Sequence, residues 1–165
     1  MFTAGILTIS DKGSKGERQD KSGEAIREIL SKMGARIVNY DIIPDEKELI
    51  AEKLVKWADG DNLDVVITTG GTGLTPRDVT PEATLAVVDR IVPGFAEAMR
   101  AESLKKTPHA MLSRAVVGTR GQCLIVNLPG SPGAVRECLA VILPALPHAV
   151  ETLRGLAGEC GTSAP

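Results

Sequence analysis

Short apolar, β-branched runs alternate along this chain with segments of helical periodicity, and this alternation limits the possible folds more than any other feature. Residues 3–9, 35–43 and 64–69 have the length and composition of buried strands. Between the first two runs, Ile26, Ile29, Leu30 and Met33 repeat at helical spacing, and Gly34 is a typical helix stop. The sequence therefore predicts a layered α/β domain whose central sheet is mostly parallel.

The rest of the chain continues this pattern. Asp45 and Glu48 form a D-x-x-E signal for a helix start, and Thr80-Pro81-Glu82 is a second start signal with Thr80 as the N-cap. Further helices are predicted over residues 94–105, 132–143 and 147–153, and strands over residues 115–119 and 123–127. Residues 1–155 are expected to form one domain, and residues 156–165 a flexible C-terminal tail.

Composition and charge exclude several classes of function. The 19 basic and 21 acidic side chains give a net charge of −2, and one Trp, one Tyr and two Phe are too few to stack bases, so nucleic-acid binding is not expected. No apolar run reaches the roughly 18 residues of a membrane span, and the N-terminus lacks the pattern of a signal peptide. Cys123, Cys138 and Cys160 show no C-x-x-C spacing. We expect a cytoplasmic protein with no membrane contact and reduced core cysteines, a metal or redox role being the alternative.

A glycine-rich loop follows the third predicted strand. Thr69-Gly70-Gly71-Thr72-Gly73 can turn its backbone N–H groups towards phosphate oxygens, because glycine adopts positive φ and leaves no side chain in the way. A plain strand-to-helix turn is the alternative. The loop is neither a Walker P-loop, since no G-K-[ST] closes it, nor a dinucleotide fingerprint, since Pro76 stands at the place of the third glycine.

Carboxylates lie near this loop in sequence. Arg77 and Asp78 precede the helix start at Thr80, where they can bind a phosphate and its Mg²⁺ or simply form a surface ion pair. Asp45 follows the second strand, so it is either a helix cap or a second ligand for the cation. The spacing alone leaves these alternatives open.

A third loop, residues 127–133, contains two Pro-Gly steps before a predicted helix N-terminus, which favours anions. Ser113 and Arg114 add a hydroxyl and a cation before another strand. His109 and His148 stand without a Ser or Asp partner at a catalytic spacing, and we expect neither to be catalytic. No residue in the sequence is identified as a nucleophile.

These loops resemble the signature of the MogA/MoaB family of molybdenum-cofactor proteins, to which the gephyrin G domain is related. The resemblance rests on the run from Thr68 to Thr84 and, in order, on residues 9–11, 20–23, 43–45, 93–95, 112–114 and 127–133. It covers roughly residues 3 to 153. It implies a three-layer α/β/α domain, a homotrimer, and transfer of AMP from ATP to the terminal phosphate of molybdopterin with Mg²⁺ and release of pyrophosphate. A molybdenum-insertion protein is a possible partner.

The resemblance also implies roles for individual residues. Asp45 and Asp78 would be catalytic and hold the metal. The nucleotide and its phosphates would lie against Ser10, Asp11, Ser22, Gly23, Thr69, Gly70, Gly71, Thr72, Gly73 and Arg77. Molybdopterin would lie against Ser113, Arg114, Asn127, Pro129, Gly130, Ser131, Pro132 and Gly133. Two other functions stay open: a non-catalytic molybdopterin carrier or trimeric scaffold of MoaB type, and an α/β nucleotide-binding protein for another reaction.

Overall fold

One six-stranded sheet, in the order β2-β1-β3-β6-β5-β4, forms the centre of the fold. We analysed a computed structural model, which describes residues 1–156; most of the predicted C-terminal tail lies outside this range. The strands β2, β1, β3 and β6 are parallel, whereas β5 is antiparallel to both β6 and β4. The strand bounds are Thr3–Ile9 (β1), Arg36–Ile43 (β2), Val65–Thr69 (β3), Arg90–Ile91 (β4), Val117–Arg120 (β5) and Cys123–Leu128 (β6).

Helices cover both faces of this sheet. Their bounds are Asp11–Ser14 (α1), Lys21–Lys32 (α2), Lys47–Val55 (α3), Thr80–Leu85 (α4), Pro93–Leu104 (α5), Pro132–Ile142 (α6) and Leu146–Leu153 (α7). A π-helical turn at Lys56–Gly60 extends α3, and a 3₁₀ helix spans Pro108–Leu112. Within residues 1–156 no single helix has both the length and the apolar composition to cross a membrane; only α6 and α7 together reach them, and these two meet at an angle of 62°.

Two apolar cores lie on opposite faces of the sheet because side chains alternate along each strand. On β3, Val65 and Ile67 pack against α2, α5, α6 and α7, while Val66 faces α3 and α4. The same alternation separates Leu124 and Val126 from Ile125 on β6. Central strands buried on both faces are continuously apolar, which is why residues 64–69 were recognisable as a strand. The predicted three-layer α/β/α architecture is confirmed.

The topology brings the ends of the parallel strands together. β1 pairs with β2 on one side and β3 on the other, so the direction of winding reverses at β1 and β3. In parallel α/β sheets, ligands bind outside the carboxyl ends of the strands at such a reversal. Here the residues directly after those ends are Ser10, Pro44, Gly70 and Pro129, and Asp45 follows Pro44.

Three local predictions were wrong or incomplete. The helix that starts after Asp45 has Glu46 at its N-cap position, and neither Glu46 nor Asp45 caps it. Thr80 is the first residue of α4, and its hydroxyl donates to the carbonyl of Gly70 instead of capping. The elements α1, β4 and the 3₁₀ helix were not predicted, because two to five residues are too few to show a period.

A partly buried ion pair joins Arg154, at the end of α7, to Asp64, which directly precedes the central strand β3. Arg154 donates to both carboxylate oxygens of Asp64, whose side chain is 10% exposed, and the backbone and hydroxyl of Thr3 also donate to it. Burial alone raises the pKa of Asp64, but the hydrogen bonds from Thr3 and Arg154 lower it further than burial raises it. The pKa of Asp64 therefore lies below its usual value.

We predict that Asp64 stabilises the fold at neutral pH and that this contribution is lost in acid. A carboxyl whose pKa is depressed on folding stabilises above its unfolded pKa, and loses that effect as pH falls through the folded pKa. Asp64→Asn should lower the free energy of unfolding at pH 7 by about 1–3 kcal/mol, with a difference that shrinks below about pH 4. Urea unfolding at several pH values measures this. Asp59→Asn, which removes the more exposed partner of Arg120, is the control and should cost less. A pH-independent loss for Asp64→Asn would contradict the assignment.

Candidate active site

A cleft of about 850 Å³ lies at the carboxyl ends of the parallel strands. It is bounded by the ends of β1, β2, β3 and β6 and by the loop before α2, and its lining consists of residues 8–10, 13, 18–22, 45, 69–71, 78 and 130–132. Segments from across the whole chain thus meet in one cavity. Of the predicted nucleotide and metal residues, the structure places Ser10, Ser22, Thr69, Gly70, Gly71, Asp45 and Asp78 in this lining.

The floor of the cleft is a turn that only glycine fits. Gly70 and Gly71 have φ of +96° and +67°. A Cβ on Gly70 would lie 2.3 Å from the carbonyl oxygen of Ile9, and one on Gly71 would lie 2.3 Å from Oγ1 of Thr80. The N–H of Gly70 donates to Leu128 and continues the sheet, so a phosphate can use only the amides from Gly71 onward.

The start of α2 forms one wall of the cleft and is held by hydrogen bonds to its N-cap residue. Asp20 is the N-cap and accepts from the N–H of Gly23, from the hydroxyl of Thr8 at 2.6 Å, and from the hydroxyl of Tyr40. Burial, and then the Asp20 carboxylate, raise the pKa of Tyr40 and keep it a donor. A Cβ on Gly23 would lie 2.2 Å from Asp20 Oδ2, so the close approach of Asp20 requires a glycine here, and Gly23 itself lies outside the lining of the cleft.

Ser22 and Thr69 connect this wall and the floor to the loop after β6. The hydroxyl of Ser22 donates to the carbonyl of Gly130, and that of Thr69 donates to the carbonyl of Pro129, each at 2.7 Å. Both hydroxyl protons are therefore used within the protein. What remains for a ligand is the lone pairs of these oxygens.

Asp11 and Asp45 hold each other by a reciprocal pair of hydrogen bonds. The N–H of Asp11 donates to Oδ2 of Asp45 at 2.9 Å, and the N–H of Asp45 donates to Oδ1 of Asp11 at 3.1 Å. Burial raises the pKa of Asp45, and the negative charges of Asp11 and Asp78 add to this, whereas the Asp11 N–H and Arg77 oppose it. The carboxylates of Asp11 and Asp78 thus both disfavour the ionised form of Asp45 at one side of the cleft.

Arg77 forms an ion pair with Asp11 in the ligand-free chain. Its Nη2 donates to Oδ1 at 2.8 Å and its Nε to Oδ2 at 3.0 Å. This hydrogen bond is the main reason why the pKa of Asp11 is lowered. Both side chains are at least one-third exposed, so the pair contributes little to stability and can open at small cost. Neither residue belongs to the cleft lining.

Asp78 reaches the cleft from the loop between β3 and α4. Its Oδ2 accepts from the N–H of Thr75 at 2.8 Å, and its own N–H donates back to the carbonyl of Thr75. A Cβ on Gly73 would lie 2.9 Å from the same oxygen, so this glycine allows the carboxylate to fold over the loop. Thr72 is buried beside it.

Two carboxylates facing one cavity fit Mg²⁺. Within residues 1–156 no cluster of three or more His, Cys, Asp or Glu side chains is arranged to hold a metal ion. Mg²⁺ usually takes only one or two protein carboxylates and completes its shell with waters and substrate phosphates. Asp45 and Asp78 match that donor set.

The residues predicted to bind molybdopterin divide between two cavities. Gly130, Ser131 and Pro132 line the cleft, and Ser131 also caps α6. Ser113 and Pro129 instead line a second, mostly apolar cavity of about 220 Å³ on the other side of the same loop. Gly133 has open space around it and lines neither cavity.

Arg114 and Asn127 lie in neither lining. Asn127 is fully buried, and its amide donates to Thr68 and Thr84 and accepts from Val116. All its polar groups have protein partners, so it holds β6 against β3 and α4. Arg114 is bonded to the loop between β3 and α4.

Arg18 and Lys21 line the cleft but were not among the predicted site residues. They stand on either side of Gln19 and the N-cap Asp20, in a segment that reads as a polar loop. The sequence pattern that could have identified them is the pair of cations around a helix N-cap. Cations are unfavourable at the positive end of a helix unless an anion is present, so such a pair indicates an anion site.

Cys123 and Cys138 are buried and unpaired, as predicted, and Cys160 lies outside the described residues. Burial raises the pKa of Cys123 to about 12, so its thiol is not a nucleophile at neutral pH. His109 lies at the second cavity and His148 on α7, outside the cleft.

The comparisons with known proteins agree with one another. The sequence profile of the family described as "probable molybdopterin binding domain" matches residues 5–148. A molybdopterin adenylyltransferase of Helicobacter pylori is 47% identical over 153 residues, which are 92% of this chain and 87% of the relative. The solved structure of the molybdopterin biosynthesis enzyme MoaB from Thermus thermophilus is 54% identical, with a TM-score of 0.89 over 94% of this chain and 98% of that one. The tungsten-cofactor-synthesising protein MoaB of Pyrococcus furiosus is 41% identical, with a TM-score of 0.85, over 93% and 98%.

We predict how the pKa of Asp45 changes when one of the neighbouring charges is removed. Arg77→Gln removes the positive charge that lowers the pKa of Asp45, so this pKa should rise further. Asp78→Asn removes a negative charge and should lower the pKa of Asp45. NMR titration of the ¹³C-labelled carboxyl groups measures both. Asp89→Asn, distant from the cleft, should leave the value unchanged; shifts of equal sign in the first two variants would contradict the arrangement.

Proposed function

The chain belongs to the family of probable molybdopterin-binding domains, and from this membership and the cleft we propose that it is a molybdopterin adenylyltransferase. It transfers AMP from ATP to the terminal phosphate of molybdopterin and releases pyrophosphate. The observation that carries the proposal is the meeting of Asp45, Asp78 and the Gly70-Gly71 turn in one cleft of about 850 Å³, a volume typical of a small-molecule site.

The reaction requires no nucleophile from the protein, and no residue of the cleft is placed as one. The attacking group is the substrate's own phosphate, which is largely dianionic at pH 7 because the second pKa of a phosphate monoester is near 6. The α-phosphorus of ATP must then be aligned with it and the combined negative charge neutralised. These are tasks of positioning and electrostatics.

The cleft supplies cations and donors for these tasks. Arg18 and Lys21 face it directly, and we assign them to the phosphates of ATP. Arg77 joins them when the triphosphate competes with Asp11 for its guanidinium, since an exposed ion pair opens at small cost. The amides from Gly71 onward contribute the backbone part of this site.

Asp45 and Asp78 would hold Mg²⁺. When bound, the ion withdraws charge from the phosphates and makes the α-phosphorus easier to attack. The reciprocal bonds with Asp11 hold the backbone and carboxylate of Asp45 in place. Repulsion among the three acids, which raises the pKa of Asp45 together with burial, favours the binding of a cation at this side of the cleft.

Molybdopterin lies along the loop after β6. We place its phosphate near Ser131 in the cleft and its ring system towards the second cavity, where Ser113 and Pro129 offer a mostly apolar surface. Arg114 and Asn127 take part by holding the neighbouring backbone, and Gly133 is given no contact with the ligand. The homotrimer, the molybdenum-insertion partner and the cytoplasmic location remain predictions.

We predict that Asp78→Asn lowers the rate of adenylyl transfer at least about tenfold, which corresponds to about 1.4 kcal/mol. The substitution keeps the size of the side chain and removes the charge that the cation requires. Purified protein is mixed with molybdopterin, Mg²⁺ and labelled ATP, and pyrophosphate is measured. Asp41→Asn, on the surface of β2, is the matched control and should retain full activity.

The same assay separates the alternative functions. Near-normal turnover of Asp78→Asn at saturating Mg²⁺ would remove Asp78 from the mechanism. Tight binding of molybdopterin without release of pyrophosphate by the unmodified protein would leave a carrier or scaffold of MoaB type. ATP consumption that does not depend on molybdopterin would indicate another nucleotide reaction.

A further inference from the structure

The Arg114 guanidinium fastens the loop between β3 and α4 at both ends. Its Nε donates to the carbonyl of Gly73 at 2.7 Å, its Nη2 donates to the carbonyl of Asp78 at 2.7 Å, and its Nη1 pairs with the carboxylate of Glu82. The backbone N–H of Arg114 also donates to the carbonyl of Thr72 at 2.9 Å. One residue therefore contacts four positions between 72 and 82.

Besides Arg114, the ion pair between Arg77 and Asp11 ties this segment to the rest of the fold, and that pair is exposed and opens at small cost. Leu74 is 64% exposed, and the residues from Leu74 to Arg77 face solvent. Inside the segment, the turn rests on the two bonds between Thr75 and Asp78. Carbonyl groups in such a turn need donors, and the planar fork of an arginine can satisfy two of them together with a carboxylate. Asp78, which reaches into the cleft, is one of the two residues whose carbonyl is held in this way.

Glu82 explains why Arg114 stays in this position. Its hydrogen bond with Arg114 is the main reason that the pKa of Glu82 is lowered, and its second oxygen is buried without a partner. If Arg114 turned away to a substrate, the Glu82 carboxylate would lose the cation that is hydrogen-bonded to it, while its second oxygen is already buried without a donor. Arg114 also lines neither cavity.

We propose that Arg114 is a positioning residue: it fixes the backbone of Asp78 so that this carboxylate faces the cleft, and it does not bind molybdopterin. The proposal rests on the proposed function for its kinetic consequence only. Lysine keeps the charge of arginine but cannot span two carbonyls and a carboxylate, so Arg114→Lys tests the fork itself.

Arg120→Lys is the matched control. Arg120 likewise donates to a carboxylate, that of Asp59, and to a carbonyl, that of Val87, but it lies at the end of β5, outside the lining of the cleft. Arg114→Lys and Arg120→Lys each replace a guanidinium that bridges a carboxylate and a carbonyl. Any general effect of such a loss on stability should therefore appear in both.

The first measurement is hydrogen exchange of the ligand-free protein at the amides of Thr75 and Asp78. Arg114→Lys should speed exchange there at least about tenfold, since their two bonds depend on the held loop. Arg120→Lys should leave these amides unchanged. This result requires no substrate and stands even if the proposed activity fails. Unchanged exchange in a folded Arg114→Lys protein would overturn the proposal.

The second measurement separates an effect on kcat from an effect on KM. Arg114→Lys should lower kcat about tenfold or more, because misplacing a catalytic group is expensive, while KM for molybdopterin changes less than about threefold. Combined with Asp78→Asn, it should cause little further loss, since both changes act through one carboxylate. A raised KM with unchanged kcat would make Arg114 a substrate ligand, and additive losses would separate it from Asp78; either result overturns the proposal.

Glu82→Gln covers the case in which Arg114→Lys does not fold. This variant weakens the same clamp from its other end while leaving the two bonds to the carbonyls. It should give faster exchange at Thr75 and Asp78 in the same direction and to a smaller extent. Normal exchange in this variant, together with a lowered kcat, would show that Glu82 acts by another route and would contradict the clamp.

Discussion

The close approach of two backbone segments at Gly70 is the constraint on which the cleft depends. The carbonyl oxygen of Ile9 at the end of β1 occupies the place that a Cβ of Gly70 would take. This contact allows β3 to turn away directly at its end, so that the loop leading to Asp78 folds back over the strand ends. A side chain at this position would push the loop outward and separate Asp78 from Asp45, which is fixed independently after β2. The steric fit at Gly70 is therefore a condition for bringing Asp45 and Asp78 to the same cleft.

The acidic side chains around the cleft divide into those whose charge is compensated inside the chain and those whose charge is not. Asp20 is fully engaged by Thr8, Tyr40 and the N–H of Gly23, so it belongs to the framework. Asp45 instead lies among other acids, and its raised pKa shows that its ionised form is not well compensated within the chain. Such unbalanced groups are frequent at functional sites because a ligand provides the missing compensation.

The sequence predicted the helices and strands that are long enough to show a regular apolar pattern, and it predicted the glycine turn after β3. The strands buried on both faces and the long helices were recognisable from their apolar patterns, and Gly70 and Gly71 from their place after a strand. It could not separate the two roles open to Asp45, because a D-x-x-E spacing describes a helix cap equally well. The structure excludes the cap, since the Asp45 carboxylate accepts from the N–H of Asp11, 34 residues away; the metal-binding role stays a prediction. Arg18 and Lys21 were missed for a related reason: their position on the cleft arises from the fold of a loop without periodicity.

Motif residues in a site built from loops divide into those that can meet a ligand and those that hold the loops. Irregular backbone between strand and helix leaves N–H and C=O groups without sheet or helix partners, and side chains must satisfy them. Ser22, Thr69 and Thr80 donate to such carbonyls, and Arg114 does the same from a position beside the cleft. Asn127 accepts from the backbone N–H of Val116 instead. A resemblance of sequence includes both kinds, because both are needed for the same chemistry. The hydrogen-bond partners of each residue are needed to tell the two kinds apart, and for Arg114, which the resemblance assigns to molybdopterin, they support the proposal that it holds a loop.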